Sequence, residues 1–307
     1  MNIIKENTQL NSEKTRGVAL GNFDGIHIGH QMLLNTLVDK SNIRKLESCV
    51  YTFDNHPLSI INNTTPIQIT NFDIKNKIFE SLSIDTVIYE KFDKKTMNQK
   101  PQEFAEEVLV KRLNAKLVVV GFDFRFGFQG EGDVNLLREL SKQYNFTLYV
   151  IEPIKIEGEK VSSSIIKKYI GEGKMKKAKR FLGRYFSLEG AVIRGESRGR
   201  QLGFPTANIS IEKRQILPKE GVYATYVSIE ENTYLGATSI GKNPTFSANN
   251  VSVETFILDY SGNLYDKKIG IAFVESIREQ IRFDNVEDLK NQLRIDVKNV
   301  KKYLHSS

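Results

Sequence analysis

Residues 17–31 read Gly-Val-Ala-Leu-Gly-Asn-Phe-Asp-Gly-Ile-His-Ile-Gly-His-Gln. Gly17–Leu20 is a short apolar run that reads as a buried strand. Leu33, Leu34, Leu37 and Val38 follow with the i, i+4 spacing of a helix face. The segment between them, Gly21–His30, is therefore a strand-to-helix junction. Open α/β sheets bind ligands at the carboxyl ends of their strands, so a site is expected here. Gly21, Gly25 and Gly29 let backbone approach a ligand closely, and the start of the helix offers unpaired N–H groups to a phosphate. His27 and His30, three residues apart, can both donate hydrogen bonds to a triphosphate. The chain has four histidines, and two of them fall in this turn. The plain alternative is a glycine-rich turn with two surface histidines.

Working outward, the same alternation continues. Ser48–Phe53 and Asp85–Tyr89 read as strands, with a helix between them marked by Ile74, Ile78, Phe79 and Leu82. Pro101 is suited to a first helical turn and opens a helix whose face is Phe104, Ala105, Val108 and Leu109. Leu117–Gly121 is a continuous β-branched run, as in a strand buried on both faces. A helix over Leu136–Tyr144 and a strand over Phe146–Ile151 complete a βαβα order, which predicts a doubly wound parallel sheet. After about Gly183 the helical period disappears. Phe186–Arg194, Gly221–Ile229, Tyr234–Ile240, Val251–Tyr260 and Ile269–Val274 read as strands separated by turn residues, which predicts an antiparallel barrel or sandwich. A last helix spans about Val286–Leu304, with Leu289, Leu293, Val297, Val300 and Leu304 on one face. The boundary is expected near Arg184, giving domains at 1–183 and 184–307.

The chain has 307 residues, 40% hydrophobic and 26% charged, a globular composition long enough for two domains. No stretch approaches the roughly 20 apolar residues of a membrane span, and Met1–Thr15 is polar with no signal-peptide core. Cys49 is the only cysteine, which leaves no intramolecular disulfide and no cysteine-built zinc site. These features predict a cytoplasmic protein. The net charge of +7 fits nucleic acid, polyanionic small substrates such as ATP, or a solvated surface, and does not choose among them. The densest basic stretch, Lys174–Arg180, reads as a solvated helix face with Met175, Ala178, Phe181 and Leu182 packed beneath it.

Two further segments carry chemistry. Gly195–Asn208 places glycines beside Arg198 and Arg200, which suits a phosphate. Thr206 and Asn208, two residues apart on an extended chain, offer neutral oxygens to one side, as magnesium prefers. An ordinary Gly/Pro loop entering a strand fits the composition as well. Glu254 alternates with Phe256, Leu258 and Tyr260, so this carboxylate either points toward an interior or its mouth, or ends a strand in solvent.

These motifs also carry a resemblance. His27-x-Gly-His30, preceded by Gly21-Asn22-Phe23-Asp24, resembles the nucleotidyltransferase superfamily, and Gly17–Gln31 is similar to bacterial bifunctional FAD synthetases (riboflavin kinase/FMN adenylyltransferase). Gly121–Gly127 (GFDFRFG) followed by Gly132-Asp133, and Val161–Lys167 (VSSSIIK), resemble elements of the same family. In the second half Gly199–Asn208, with its intact Pro-Thr-Ala-Asn core, Gly221–Ala224, and Ile240-Gly241 through Pro244-Thr245-Phe246 resemble riboflavin kinase signatures. Glu254 falls where that family has its catalytic carboxylate.

The resemblance implies FAD synthesis from riboflavin, with ATP, FMN and FAD as substrates and products and Mg²⁺ as cofactor. It implies that FMN phosphate attacks the α-phosphorus of ATP and that His27 and His30 hold the phosphates. ATP contacts are then expected from Gly21, Asn22, Phe23, Asp24, Gly29, Ser163, Ser164 and Lys167, and flavin contacts from Asp123, Phe124, Arg125, Phe126 and Asp133. In the kinase half it implies Glu254 as general base, Thr206 and Asn208 as Mg²⁺ ligands, Gly195, Arg200, Gly203 and Pro205 at ATP, and Arg278 and Phe283 at the flavin. The chain departs from the family pattern at Ser164 (Thr), Lys167 (Arg), Ser239 (Asn) and Asn243 (Arg). Small-molecule substrates are expected as partners, with no nucleic acid and no membrane. Two other readings stand beside this one. His27-Ile28-Gly29-His30 is also the signature string of class I aminoacyl-tRNA synthetases, although no anticodon-binding helical domain follows. Either half could also be a flavin-binding module without catalysis.

Overall fold

The apolar run Leu117–Val120 lies on the strand next to one edge of a six-stranded sheet in the computed structural model, buried on both faces. The structure describes residues 1–5, 10, 13–55, 57–61, 64–194, 203–242, 251–283 and 285–305. The sheet strands are β1 (Asn2–Lys5), β2 (Arg16–Leu20), β3 (Glu47–Phe53), β4 (Thr86–Glu90), β5 (Ala115–Gly121) and β6 (Thr147–Ile151). Their order is β1-β4-β3-β2-β5-β6, and every pairing is parallel. Alternate residues of β5 enter separate cores, which is why the run is apolar throughout. Val118 and Val120 join one cluster and Leu117 and Val119 the other. Helices α1 (Ile28–Ile43) and α2 (Phe72–Ser81) cover the second cluster through Leu33, Leu34, Leu37 and Phe79. A helical segment at 101–112 and α3 (Val134–Gln143) cover the first through Phe104, Leu109, Leu137 and Leu140. The expected doubly wound sheet is present.

Gly17 fixes how closely α1 lies on the sheet. A Cβ there would stand 2.1 Å from Ser41 Oγ of α1, so a larger residue would have to displace that hydroxyl. Two features differ from the sequence reading. β1 adds a parallel edge strand; mostly exposed, it carries no apolar period to read. The helix opened by Pro101 is α-helical only over Pro101–Glu103 and continues as a π-helix over Phe104–Arg112. Its four expected face residues are all buried, because i, i+4 and i, i+5 neighbours share a face in the wider turn.

The chain divides into two compact units, Met1–Ile67 with Phe72–Ser162, and Gln68–Asn71 with Ser163–Ser307. The second begins with α4 (Ser163–Gly171) and α5 (Met175–Leu182). Met175, Ala178, Phe181 and Leu182 are buried on α5, as its apolar face requires, and Gly183 ends it in the left-handed region at φ 76°. Six antiparallel strands then close a barrel: β7 (Phe186–Ile193), β8 (Thr206–Ile209), β9 (Gly221–Ile229), β10 (Asn232–Lys242), β11 (Val251–Ile257) and β12 (Lys268–Arg278). Their closed order is β8-β11-β10-β9-β12-β7. Inside it Thr225, Thr238 and Thr255 are fully buried and hydrogen-bond in a row at 2.8 and 2.9 Å. Helix α6 (Val286–His305) covers the outer wall with Val300 and Leu304 against Ala224, Leu258 and Val274. A short excursion, Gln68–Asn71, belongs to this unit through a parallel bridge between Gln68 and Gln215.

Candidate functional site

The chain leaves β2 at Leu20 and must turn into α1 at Ile28, at the point where the sheet order reverses direction: β3 and β4 lie to one side of β2, β5 and β6 to the other. The turn is strained. Phe23 at φ 49° and Ile26 at φ 35° are both left-handed without being glycine, beside Gly25 at φ 78°. Phe23 is 1% exposed and its ring packs edge-on against Phe79 and His30, so it anchors the turn to the core. His27 is the N-cap of α1. Its Nδ1 accepts the His30 N–H at 3.2 Å, which leaves the proton of the neutral ring on Nε2. Gly29 makes room for this, since a Cβ there would lie 3.3 Å from the His27 ring.

The His27 and His30 rings stack with centroids 3.7 Å apart. Burial, then the nearby His27 and Lys75, hold the His30 pKa well below its ordinary value, so its ring is neutral at pH 7. Its Nδ1 is buried without a hydrogen-bond partner. A stacked pair of imidazoles at a helix N-terminus is a donor set for an anion.

The second element, Gly121–Gly127, leaves β5, the neighbour of β2, so both motifs emerge at one end of adjacent strands. Asp123 is exposed and pairs with Lys160 at 2.9 Å, and Lys160 also lies over the Phe122 ring. Arg125 is exposed, and Phe124 is half-buried and stacked on Phe126. Phe126 is a core residue against Phe104. Gly127 must be glycine: it has φ 75°, and a Cβ would lie 2.6 Å from the Pro101 ring. Asp133 caps α3 by accepting the Leu136 N–H at 2.9 Å, and that bond holds its carboxyl below the usual range. Ser163, Ser164 and Lys167 stand in the first turns of α4, in the second compact unit, with Ser163 and Lys167 on one helix face.

In the barrel, Asn208 on β8 pairs with Glu254 on β11, and Glu254 pairs with Ser239 on β10. Successive residues of a strand face opposite sides, and Val253, Thr255 and Ile257 fill the interior. Glu254, with Phe256, is therefore half-buried on the outer face. Of the two readings left open for Glu254, it follows neither in full: it does not point to the interior, and it is not a strand-end residue in solvent but lies half-buried within β11. Tyr260 lies beyond the end of the strand, against Tyr234. Thr206 Oγ1 is 3.5 Å from Glu254 Oε2, so Thr206, Asn208 and Glu254 share one patch of wall. Phe204, in the loop before it, packs edge-on on Phe256. Gly203, at φ 84°, and Pro205 are exposed at the entrance of β8. Gly195, Arg198 and Arg200, like Asn243 and Pro244-Thr245-Phe246, lie outside the described residues.

Arg278 reaches from the end of β12 to Asp296 of α6, with three nitrogen–oxygen contacts at 2.7, 2.9 and 3.2 Å. Its guanidinium also lies 6.0 Å from the Phe283 ring. Gln292 donates to the same carboxylate, and Gln280 donates to Ser239 Oγ at 2.8 Å. Asp296, Gln280 and Lys75 were not anticipated. Asp296 had a signal, an acidic residue set within the apolar stripe of Leu293, Val297 and Val300. The Arg278 and Asp296 side chains are only 15% and 2% exposed. Asp296→Ala is expected to cost the barrel unit about 3–5 kcal/mol, because it strands a buried guanidinium. Denaturant unfolding followed in the full chain measures this.

Among the described residues no group of three or more His, Cys, Asp or Glu side chains could hold a metal ion. The hydroxyl and carboxamide oxygens of Thr206 and Asn208, beside the Glu254 carboxylate, are instead hard-oxygen donors that suit magnesium shared with phosphates.

Comparison with known proteins covers both units. Residues 9–165 match a family model described as FAD synthetase, and residues 182–304 match one described as riboflavin kinase. A bifunctional riboflavin kinase/FMN adenylyltransferase of Buchnera aphidicola subsp. Acyrthosiphon pisum is 37% identical over 292 residues, 94% of this chain and 93% of the relative. The Escherichia coli K12 protein of the same description is 32% identical, over 91% of this chain and 90% of its own. A Streptococcus pneumoniae crystal structure, described as a macrolide-efflux protein, superposes with a TM-score of 0.90 at 28% identity, covering 98% of this chain and 99% of that one. Among the described residues of this chain no helix is long and apolar enough to cross a membrane. With both family models matched in order, and relatives above 30% identity across nine-tenths of its length, the chain belongs to the bifunctional riboflavin kinase/FMN adenylyltransferase family.

Proposed function

We propose that FAD is made in two ATP-dependent transfers, with the residues named below in each. In the first, the ribityl 5′-hydroxyl of riboflavin attacks the γ-phosphorus of ATP, giving FMN and ADP. In the second, an FMN phosphate oxygen attacks the α-phosphorus of a second ATP, giving FAD and pyrophosphate. The observation that carries the second step is the stacked His27–His30 pair at the N-terminus of α1. Phosphoryl and nucleotidyl transfer leave the protein little covalent work, so positioning and charge stabilisation are its contribution. His27 and His30 donate through their rings to the triphosphate. Main-chain groups of Gly21, Asn22, Phe23, Asp24 and Gly29 line the approach. Asp123, Phe124 and Arg125 are the exposed or half-buried members of the flavin element, while Phe126 and Asp133 shape it from the core and the α3 cap. Contact with ATP by Ser163, Ser164 and Lys167 is assigned on the sequence element they share with the family.

In the barrel unit Glu254 accepts the proton of the 5′-hydroxyl. Thr206 and Asn208 would hold Mg²⁺, which when bound neutralises phosphate charge. Gly195, Arg200, Gly203 and Pro205 are assigned to the ATP loop, and Arg278 with Phe283 to the flavin. The test is a separation of flavins after incubation with Mg-ATP. The expected result is FAD from riboflavin and from FMN alike. FAD from FMN alone would leave the barrel unit without catalysis, and FMN accumulating from riboflavin would leave the sheet unit without it. Conversion of neither would leave both units without catalysis.

A further inference from the structure

One cation at the Gly21–His30 turn has no role in the scheme above. Lys75, half-buried on α2, donates from Nζ to the carbonyl oxygen of Asn22 at 2.8 Å. The Thr52 hydroxyl, from β3, lies 3.5 Å from the same oxygen. The strained backbone between Phe23 and Ile26 is thus tied at its first end by groups from two other elements. The charged and titratable groups that face Lys75 are Asp24 of the turn, Asp54 beyond β3 and His30 of α1, with His27 stacked behind His30.

A neutral amide would tie the Asn22 carbonyl as well and would cost less to bury. A lysine in that place brings a positive charge beside the His30 ring, which burial keeps neutral. We propose that Lys75 is a positioning residue for adenylyl transfer, holding the Gly21–Ile26 turn through the Asn22 carbonyl and supplying, beside the stacked His27–His30 pair, the positive potential that a triphosphate and the departing pyrophosphate require. This rests on the reading of the turn as the adenylyl-transfer site.

The charges divide accordingly. His30 stays neutral and donates a hydrogen bond, and the cation comes from lysine. Burial pushes the Lys75 ammonium down to about 8, against the opposing pull of Asp24 and Asp54. Its charge is present at neutral pH and is lost as the pH rises through that value, whereas an arginine in its place would stay charged.

The experiment uses the full chain with Lys75→Met, Lys75→Arg and His30→Ala. FAD formation from FMN and FMN formation from riboflavin are followed in the same preparations from about pH 6.5 to about pH 9.5. Lys75→Met is expected to lower kcat for FAD formation by about tenfold or more, with riboflavin phosphorylation unchanged. The wild-type adenylylation rate is expected to fall on the alkaline side, and Lys75→Arg to hold its rate through that range. Full FAD formation by Lys75→Met, or a parallel alkaline fall in wild type and Lys75→Arg, overturns the proposal. If instead His30→Ala keeps normal FAD formation, the reading of the turn itself fails, and the role of Lys75 fails with it.

Discussion

His30→Ala is expected to lower FAD formation from FMN by a factor of about 10²–10³, the usual cost of removing one preorganised donor to developing charge. Riboflavin phosphorylation by the same preparation is expected to be unchanged. The asymmetry follows from where the residue sits. His30 belongs to the sheet unit, on the helix that begins at the strand-order reversal, and touches His27 and Phe23. Alanine keeps the His30 N–H that bonds His27 Nδ1, so the cap of α1 survives and the loss is that of a ring, not of the helix. The protonation state adds a second readout. The folded-state pKa of His30 lies below the ordinary imidazole value of about 6.5. The unfolded chain therefore takes up a proton at a higher pH than the folded one. That contribution to stability is intact above pH about 6.5 and is lost as the pH falls below it. Wild type should lose stability on acidification more steeply than His30→Ala, and thermal unfolding at a series of pH values measures the difference. Unchanged FAD formation by the variant would remove His30 from the site.

The legibility of this chain in its sequence was uneven, for physical reasons. Buried β-branched runs such as Leu117–Val120 have few alternative states, so the parallel sheet could be read from them directly. The barrel strands are harder to read, because one flank of the wall lies under α6; β8 alternates polar and apolar residues, but over only four positions, Thr206–Ile209, directly after Pro205. The His27–His30 turn was legible because its residue types have few uses in common. Lys75 was not: it sits one residue from Ile74 in an ordinary amphipathic helix, and only the fold brings it to Asn22, 53 positions away. The excursion Gln68–Asn71 into the barrel unit was equally invisible, since a single bridge to Gln215 leaves no pattern. Glu254 shows the reverse problem. Its parity with Phe256 was read correctly, but parity does not say which face of a closed barrel is the inside. Here α6 covers the outer wall, so an apolar stripe can face outward.

That outward placement bears on the other large effect. Glu254→Gln is expected to reduce FMN formation from riboflavin by about 10²–10⁴, the range attributed to a general base, while FAD formation from FMN continues. Glutamine has the same length and still accepts a hydrogen bond, so the cross-strand row of Asn208, residue 254 and Ser239 can persist. What it lacks is the capacity to take the 5′-hydroxyl proton. A charge role alone would predict a different split. If Glu254 served only to attract a cation toward Thr206 and Asn208, the variant would raise the requirement for Mg²⁺, and excess Mg²⁺ would restore the rate. If it is the base, no concentration of Mg²⁺ restores kcat, and riboflavin still binds, as quenching of flavin fluorescence would report. Glu254→Asp separates the two further. A shorter carboxylate keeps both charge and basicity but withdraws the oxygen from the hydroxyl, so partial activity is expected from it and almost none from the amide. Equal activity of wild type and Glu254→Gln would take the carboxylate out of the reaction and leave Thr206 and Asn208 as the chemically active part of that wall.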